Sequence, residues 1–428
     1  MIRWAGIILT ALVTSFFLFP FNLPLTGIEV NTKMILAVVG AVLLVNDKVR
    51  GKGPQLSRDF VILCVICAII SVWAFGVSVI NNTSDRSFAL YLVSVWVWLG
   101  AAYAVVSMIS WVHGEATVER IGNYLIAVCT VQCLLAYFMT VWPSLGSFVD
   151  SLMGEGEAFM SATENRMHGL GAALDPAGLR FSAVLVILSY LMAGTDFDTR
   201  PWQGMLYMAA FCIITVIGNM IARTTTAGAI LAIVLFGVLK SPRDGMLKFD
   251  RSWGIIVVSI LLVTFMSVAL YRINPAFRSN LRFGFEGFFS LAEKGRWEVR
   301  SNDILKGMVV WPETAWTWLV GDGFFDSPKD MPNRFGQVYG GYYKRTDIGY
   351  LRYIFYFGSI GLAGLLAAFG QMTHTCIRRL GGYRPLFLML LLVNLLGWLK
   401  VSSDIIMVFA PFLVLAYQKE MKCTSSTA

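Results

Sequence analysis

The sequence predicts an all-α membrane protein: a polytopic bundle of transmembrane helices with one large loop. Residues of the AVILMFWYC set make up 57% of the 428 residues and charged residues only 14%, whereas ordinary soluble domains have about a quarter of charged residues. The apolar residues form blocks close to the length of a membrane span. Basic residues cluster in alternate connections between these blocks. Together these features exclude a soluble enzyme, a fibrous protein and a disordered chain.

The apolar blocks predict about twelve spans, although several blocks are shorter than the roughly 20 residues that a straight span needs. In chain order the blocks are Trp4–Phe19, Lys33–Val45, Phe60–Ile80, Phe88–Trp111, Ile121–Val141, Leu179–Ala193, Met205–Met220, Ala227–Leu239, Trp253–Leu270, Ile348–Phe369, Pro385–Leu399 and Ile405–Tyr417.

The blocks divide the chain into three parts. Residues 1–271 hold the first nine predicted spans, residues 272–346 form the large loop, and residues 347–428 hold the last three spans and a tail. A loop of this length between helices is uncommon unless it is functional. Within it, Leu291–Trp311 has a helix-like pattern, and Gly321-Asp322-Gly323 is typical of a turn.

The distribution of Lys and Arg predicts the orientation, because cytoplasmic loops are enriched in both. The basic connections lie on one side together with both termini, which are therefore predicted to be cytoplasmic, and the large loop lies on the other side. Since topology accounts for the net charge of +8, that charge does not indicate a nucleic-acid partner. The basic residues on the cytoplasmic side include Lys48, Arg50, Lys52, Arg58, Lys240, Arg243, Lys248, Arg251, Arg378, Arg379 and Arg384.

Arginines at or near the outer face do not fit this pattern and are the main candidates for a site. An ionisable residue near membrane depth costs a few kcal/mol and is a functional candidate by default. Guanidinium groups bind phosphate through paired hydrogen bonds, although an arginine near a helix end can also simply extend to the interface. These candidates are Arg166, Arg180, Arg223, Arg296, Arg300, Arg334 and Arg345.

Asp347 is the candidate acid–base residue. It opens a span at the outer face, two residues after Arg345, so its carboxylate is predicted either to cap the helix or to accept a proton from a substrate. Tyr350, in the same segment, is predicted to contact the substrate. The three histidines form no HxxxH or HExxH pair, so no histidine-based metal site is expected.

The order of several short segments resembles the O-antigen polymerase and O-antigen ligase superfamily. In that family similar segments flank a large periplasmic loop and occur in the same order relative to the spans. The segments that carry the resemblance are Arg166-Met167-His168-Gly169 with Asp175-Pro176, Ala222-Arg223-Thr224, Gly295-Arg296-Trp297, Trp318–Phe324, Thr346-Asp347-Ile348 and Gly358-Ser359-Ile360-Gly361.

The resemblance implies a GT-C-like glycosyltransferase of the bacterial inner membrane. Such an enzyme joins oligosaccharide repeat units linked to undecaprenyl pyrophosphate on the periplasmic face, without a cofactor. Its partners would be this lipid-linked glycan and the membrane lipid, with a chain-length regulator protein as a further candidate. The resemblance makes Asp347 and Arg223 catalytic, and Arg166, Arg296, Arg300, Arg345 and Tyr350 substrate-binding.

Two other functions stay open at this point. The family's ligases carry a histidine where this chain has Asp347, which favours a polymerase over transfer of the glycan to lipid A-core. A transporter or flippase of the same lipid-linked glycan is the alternative from another class. Transporters favour internal repeats and charged or broken central helices, whereas the apolar blocks here are largely free of charge.

Overall fold

The computed structural model describes residues 2–23, 30–51, 53, 57–154, 166–240, 251–327 and 341–424. These residues are almost entirely helical, with one two-residue antiparallel strand pair, β1 (Asn22–Leu23) and β2 (Val30–Asn31). The helices, numbered here in chain order, are α1 Ile2–Leu18, α2 Thr32–Val49, α3 Arg58–Ile80, α4 Tyr91–His113, α5 Val118–Val141, α6 Pro143–Ser151, α7 Leu174–Ala193, α8 Pro201–Ile221, α9 Thr225–Lys240, α10 Arg251–Ile273, α11 Pro275–Gly284, α12 Glu286–Lys294, α13 Arg300–Gly307, α14 Ala315–Leu319, α15 Gly349–Arg379, α16 Arg384–Gly397 and α17 Ile406–Thr424.

The prediction of an all-α fold is confirmed, because each of the twelve apolar blocks coincides with a helix. Among the described residues, six helices are long and apolar enough to cross a membrane. These are α3, α4, α5, α7, α8 and α15. The shorter apolar helices include α9 and most of α1. The length and composition of these helices agree with a membrane protein.

The chain forms two compact units, each assembled from separate stretches of sequence. The first unit consists of Met1–Leu43, Gly100–Trp297 and Ile405–Leu415. The second consists of Leu44–Leu99, Glu298–Asp404 and Ala416–Ala428.

In the first unit, helices α7 and α9 pack closely because small residues line their contact. A Cβ atom at Gly228 would lie 2.1 Å from the Cα of Ser182, so only glycine permits this approach. The hydroxyl of Ser182 donates a hydrogen bond to the carbonyl of Thr224 at 2.9 Å. Ser189 donates in the same way to the carbonyl of Ala232. The close pairing fixes the connection between α8 and α9, which carries Arg223.

In the second unit, the long helix α15 is broken at Phe357 and Gly358. Gly358 has φ 70° and ψ −177°, a combination that only glycine adopts readily. The loop segment around Gly321 contacts this break. The backbone N–H of Asp322 donates to the carbonyl of Phe355 at 2.6 Å, and that of Gly323 donates to Tyr356 at 3.1 Å.

The break in α15 is therefore stabilised by groups from elsewhere in the second unit. The indole N–H of Trp73 donates to the carbonyl of Phe357 at 2.8 Å. Gly321 and Gly323 both have positive φ, which confirms the predicted turn. Two segments that were singled out in the sequence, Trp318–Phe324 and Gly358–Gly361, thus meet in one place.

We expect Gly358→Ala to destabilise the protein strongly. A Cβ atom there would lie 2.1 Å from the carbonyl oxygen of Leu319, and the backbone conformation alone costs about 1–3 kcal/mol for a non-glycine residue. Gly370→Ala is the matched control, since Gly370 lies in the same helix with nothing within 4 Å of the added atom. Thermal unfolding in detergent should show a much lower midpoint for Gly358→Ala alone. Equal midpoints for the two variants would contradict the strained, close-packed break.

Residues Leu291–Trp311, which have a helix-like pattern, do not form one continuous helix in the structure. Helix α12 ends at Gly295, which adopts the left-handed conformation (φ 69°), the usual way for glycine to end a helix. The chain then turns so that Trp297 packs on α12, where a Cβ atom at Gly287 would lie 2.3 Å from its ring. Glycine after a helix is a local sequence signal, so the end of α12 at Lys294 can be predicted from Gly295.

The orientation predicted from the basic residues can be tested at Val49 and Asn302. The side chain of Val49 is 82% exposed, and that of Asn302 is also exposed. On a background without accessible thiols, an impermeant thiol reagent added to intact cells should label Asn302→Cys and not Val49→Cys. Permeabilised cells, in which both positions react, are the control. Labelling of Val49→Cys alone in intact cells would show that the orientation is opposite to the predicted one.

Candidate functional site

The structure describes all of the candidate site residues except Arg334, which lies outside the described residues. Arg166, Arg223 and Arg296 belong to the first unit. Arg300, Arg345, Asp347 and Tyr350 belong to the second unit. Within the first unit, Arg166 and Arg223 lie close together, as described next.

Arg223 lies at the break between α8 and α9 and is held by the segment after α10. Its Nε–H donates to the carbonyl of Phe283 at 2.8 Å, and its Nη1 lies 2.7 Å from Oε2 of Glu286. The guanidinium carbon is 4.2 Å from the centre of the Phe283 ring. Burial lowers the pKa of Arg223, and the carboxylate of Glu286 opposes that shift. The guanidinium plane is therefore fixed by one carbonyl, one carboxylate and one ring.

Two local features place Phe283 and Glu286 beside Arg223. Helix α11 passes over the end of α8, where a Cβ atom at Gly284 would lie 3.0 Å from the backbone of Asn219. The buried Asn219 accepts a hydrogen bond from the hydroxyl of Thr226 at 2.6 Å. The connection that carries Arg223 is thus tied both to α8 and to the segment that supplies its partners.

Arg166 approaches the same ring as Arg223. Its guanidinium carbon lies 5.4 Å from the centre of the Phe283 ring, and its positive charge also lowers the pKa of Arg223. Within the described part of the chain, the Arg166 guanidinium donates no hydrogen bond. Arg166, Arg223, Phe283 and Glu286 are called the Arg223 cluster below. In this cluster Arg223 is held rigidly, and Arg166 presents exposed donors.

The other two candidate arginines of the first unit, Arg180 and Arg296, have different surroundings. The guanidinium carbon of Arg180 lies 5.7 Å from the ring centre of Phe19, and the side chain is half-buried. Arg296 is exposed in the turn that follows α12. Their predicted roles stay predictions.

A histidine–aspartate pair beside Arg166 was not identified from the sequence as part of a site. Nε2 of His168 lies 2.9 Å from Oδ1 of Asp150 on α6, and Nδ1 lies 3.2 Å from the carbonyl oxygen of Arg166. Both partners are hydrogen-bond acceptors, so the imidazole donates from a ring nitrogen that carries a hydrogen. The signal was weak, since Asp150 and His168 are 18 residues apart with no motif joining them.

In the second unit, Asp347 lies just before helix α15. The N-cap residue is Ile348, which has no side-chain cap, so Asp347 stands one residue before the N-cap position that the capping interpretation gave it. Its side chain is 20% exposed, and Oδ1 lies 3.8 Å from Nη1 of Arg352. The carboxylate is therefore partly accessible and lies beside a guanidinium group.

Among the described arginines of the second unit, Arg352 is the most deeply buried, and sequence reasoning did not select it. Its side chain is 6% exposed. Nη1 donates to the hydroxyl of Ser402 at 2.6 Å, and Nη2 donates to Asp326 Oδ1 at 2.6 Å. The guanidinium carbon lies 3.8 Å from the ring centre of Phe325 and 4.5 Å from that of Tyr342. An arginine inside an apolar block was the available signal.

Through these contacts Arg352 holds the large loop on both sides of residues 328–340, which lie outside the described ranges. Asp326 and Phe325 precede the residues outside the described ranges, and Tyr342 follows them. Burial raises the pKa of Asp326, the Arg352 guanidinium opposes this, and the carboxylate of Asp85 adds to it. Arg352, Asp326, Ser402, Phe325 and Tyr342 are called the Arg352 cluster below.

The remaining candidates of the second unit have different surroundings. Arg300 and Arg345 are exposed. The hydroxyl of Tyr350 donates to the carbonyl of Leu395 at 2.9 Å, and its ring packs edge-on against Trp398 with 5.8 Å between the ring centres. The structure thus gives Tyr350 a packing contact. Its predicted contact with substrate stays a prediction.

Among the described residues, no three His, Cys, Asp or Glu side chains are grouped closely enough to hold a metal ion. The first unit offers two guanidinium groups with one carboxylate partner, in the Arg223 cluster. The second unit offers a partly exposed carboxylate, Asp347, next to the Arg352 cluster. Comparison with known proteins adds no family to this description: no family model, no curated protein and no solved structure matches the chain.

Proposed function

We propose that this protein is a membrane glycosyltransferase that polymerises oligosaccharide repeat units linked to undecaprenyl pyrophosphate. The product would be an O-antigen or exopolysaccharide chain on the periplasmic face of a bacterial inner membrane. The leaving group in this reaction is a pyrophosphate, and the attacking group is a sugar hydroxyl. A site for it needs cations on the donor side and a proton acceptor on the acceptor side.

The observation that carries the proposal is the approach of Arg166 and Arg223 to one aromatic ring. Two like charges repel, so an arrangement that brings them together favours an anionic ligand between or beside them. Arg223 is already oriented by Phe283 and Glu286, which lowers the entropy lost on binding phosphate. Arg166 supplies exposed donors next to it. A lipid-linked pyrophosphate has the matching charge.

For the role of proton acceptor we propose Asp347, which belongs to the second unit. Its carboxylate is partly exposed beside Arg352, so it can accept a proton from a sugar hydroxyl that enters from solvent. No metal is required in this scheme, because arginines neutralise the charge that develops on the leaving pyrophosphate.

The contact between the Gly321 turn and the break at Gly358 also supports the proposal. Both segments belong to the set that resembles the O-antigen polymerase and ligase superfamily. Their backbone hydrogen bonds, through Asp322 and Gly323, give a physical reason why these glycines occur together. Asp347 in the position of the ligase histidine favours polymerisation over transfer to lipid A-core.

The proposal is tested by deleting the gene in its native host and analysing the surface glycan. A polymerase deletion should leave glycans of a single repeat unit and lose all longer chains. Loss of every repeat from lipid A-core, with polymer still attached to undecaprenyl pyrophosphate, would indicate a ligase instead. Accumulation of the lipid-linked repeat unit on the cytoplasmic leaflet would indicate a flippase. Unchanged glycans would contradict the proposal.

A further inference from the structure

A cleft of about 280 Å³ opens in the first unit beside the Arg223 cluster. It lies at the C-terminal end of α5 and along α6, and α11 also contributes to its lining. The polar side chains that line it come from four segments of the chain. They are Thr140, Ser147, Asp150, Arg166, His168 and Asn280.

The lining combines hydrogen-bond donors and acceptors in a way that suits a sugar. The hydroxyls of Thr140 and Ser147 donate to backbone carbonyls of their own helices, and their oxygens remain acceptors. The amide of Asn280 likewise donates to its own helix, and its oxygen is an acceptor. Arg166 supplies the complementary donors. Each sugar hydroxyl both donates and accepts, so it can use both kinds of group.

A phosphate fits the Arg223 cluster better than it fits this cleft. The carboxylate of Asp150 lines the cleft and would repel an anion. Arg166 belongs both to the lining and to the Arg223 cluster. Because Arg166 is shared, a ligand with a phosphate on Arg166 can reach the cleft with its next group.

We infer that the cleft binds the sugar ring attached directly to the pyrophosphate of the lipid-linked donor. This inference rests on the proposed function and deepens it, because it assigns the donor's first sugar to named residues. The volume of about 280 Å³ lies just below the roughly 300–1,000 Å³ of most ligand pockets, so we place one ring in the cleft and the rest of the repeat unit outside it.

The test compares two lipids on the purified protein in detergent, by native mass spectrometry titration. One probe is undecaprenyl pyrophosphate without sugar, and the other is the lipid-linked repeat unit extracted from a strain that lacks this protein. Ser147→Trp fills the cleft with a bulky side chain. We expect it to weaken binding of the sugar-bearing lipid by about tenfold or more and that of the bare lipid by less than about twofold.

Ser144→Trp is the matched control, because Ser144 is exposed on the same helix and does not line the cleft. It should leave the affinity for both lipids unchanged. Asn280→Ala removes an amide without adding bulk, and it should weaken only the sugar-bearing lipid. This variant keeps the test valid if Ser147→Trp does not fold.

The outcomes separate this inference from the proposed function. If the wild-type protein binds both lipids, and the two cleft variants change neither affinity or both equally, the sugar is not bound in the cleft while the proposed function stands. If the wild-type protein binds neither lipid, the proposed function fails and this inference fails with it.

Discussion

Asp347→Asn should lower the rate of polymer formation by about 10²- to 10⁴-fold, the usual contribution of a general base. Asparagine keeps the size of the side chain and its ability to accept a hydrogen bond, but it cannot take a proton from the acceptor hydroxyl. Asp347→Glu should retain part of the activity because it keeps the carboxylate. Polymer length and initial rate are measured with lipid-linked repeat units in proteoliposomes.

Asp303→Asn is the control for Asp347. Asp303 is an exposed carboxylate of the same loop that pairs only with Lys306 among the described residues, so its loss should leave the rate unchanged. Protein level and thermal midpoint must stay near the wild-type values in all three variants. A near-normal rate for Asp347→Asn would remove the general-base role.

Arg223→Lys should lower the rate by about 10- to 100-fold, which corresponds to losing one hydrogen bond to a charged group, about 1.5–3 kcal/mol. Lysine keeps the charge, but it cannot donate to the Phe283 carbonyl and face Glu286 and a phosphate with one planar group. The same proteoliposome assay measures the rate, and the donor concentration is varied to separate kcat from KM.

Arg282→Lys is the matched control for Arg223. Arg282 pairs with Glu293, and both side chains are more than two-fifths exposed. Ion pairs at such exposed positions contribute about 1 kcal/mol or less. We expect wild-type activity from this variant. If Arg223→Lys polymerises at the wild-type rate with wild-type donor affinity, Arg223 does not bind the phosphate.

Much of the helical fold was predictable because hydropathy is a local property. Each apolar block could be recognised from its own residues, and each coincides with a helix. The Gly321-Asp322-Gly323 turn was predictable for the same reason, since two glycines so close together favour positive φ. The break in α15 at Gly358 was not predictable, because it depends on contacts with Leu319 and Trp73, which are distant in the sequence.

The candidate site was predictable in part. Arg166 and Arg223 stood out as cations near apolar blocks, and the structure brings both to Phe283. The partners of Arg223 could not be foreseen, because Glu286 is 63 residues away and nothing local joins them. Arg352 was overlooked for a related reason: its burial is explained only by Asp326 and Ser402, which lie 26 and 50 residues away.

The break in helix α15 has a consequence for how the protein can be engineered and how it is assembled. The carbonyls of Phe355 and Tyr356 accept hydrogen bonds from the turn at Asp322 and Gly323, and unpaired carbonyls in lipid are costly. The turn is synthesised before the helix, so its donors are present when the helix enters the membrane. A chimera that exchanges the loop without α15 would separate donors from acceptors, and the two must be transplanted as one piece.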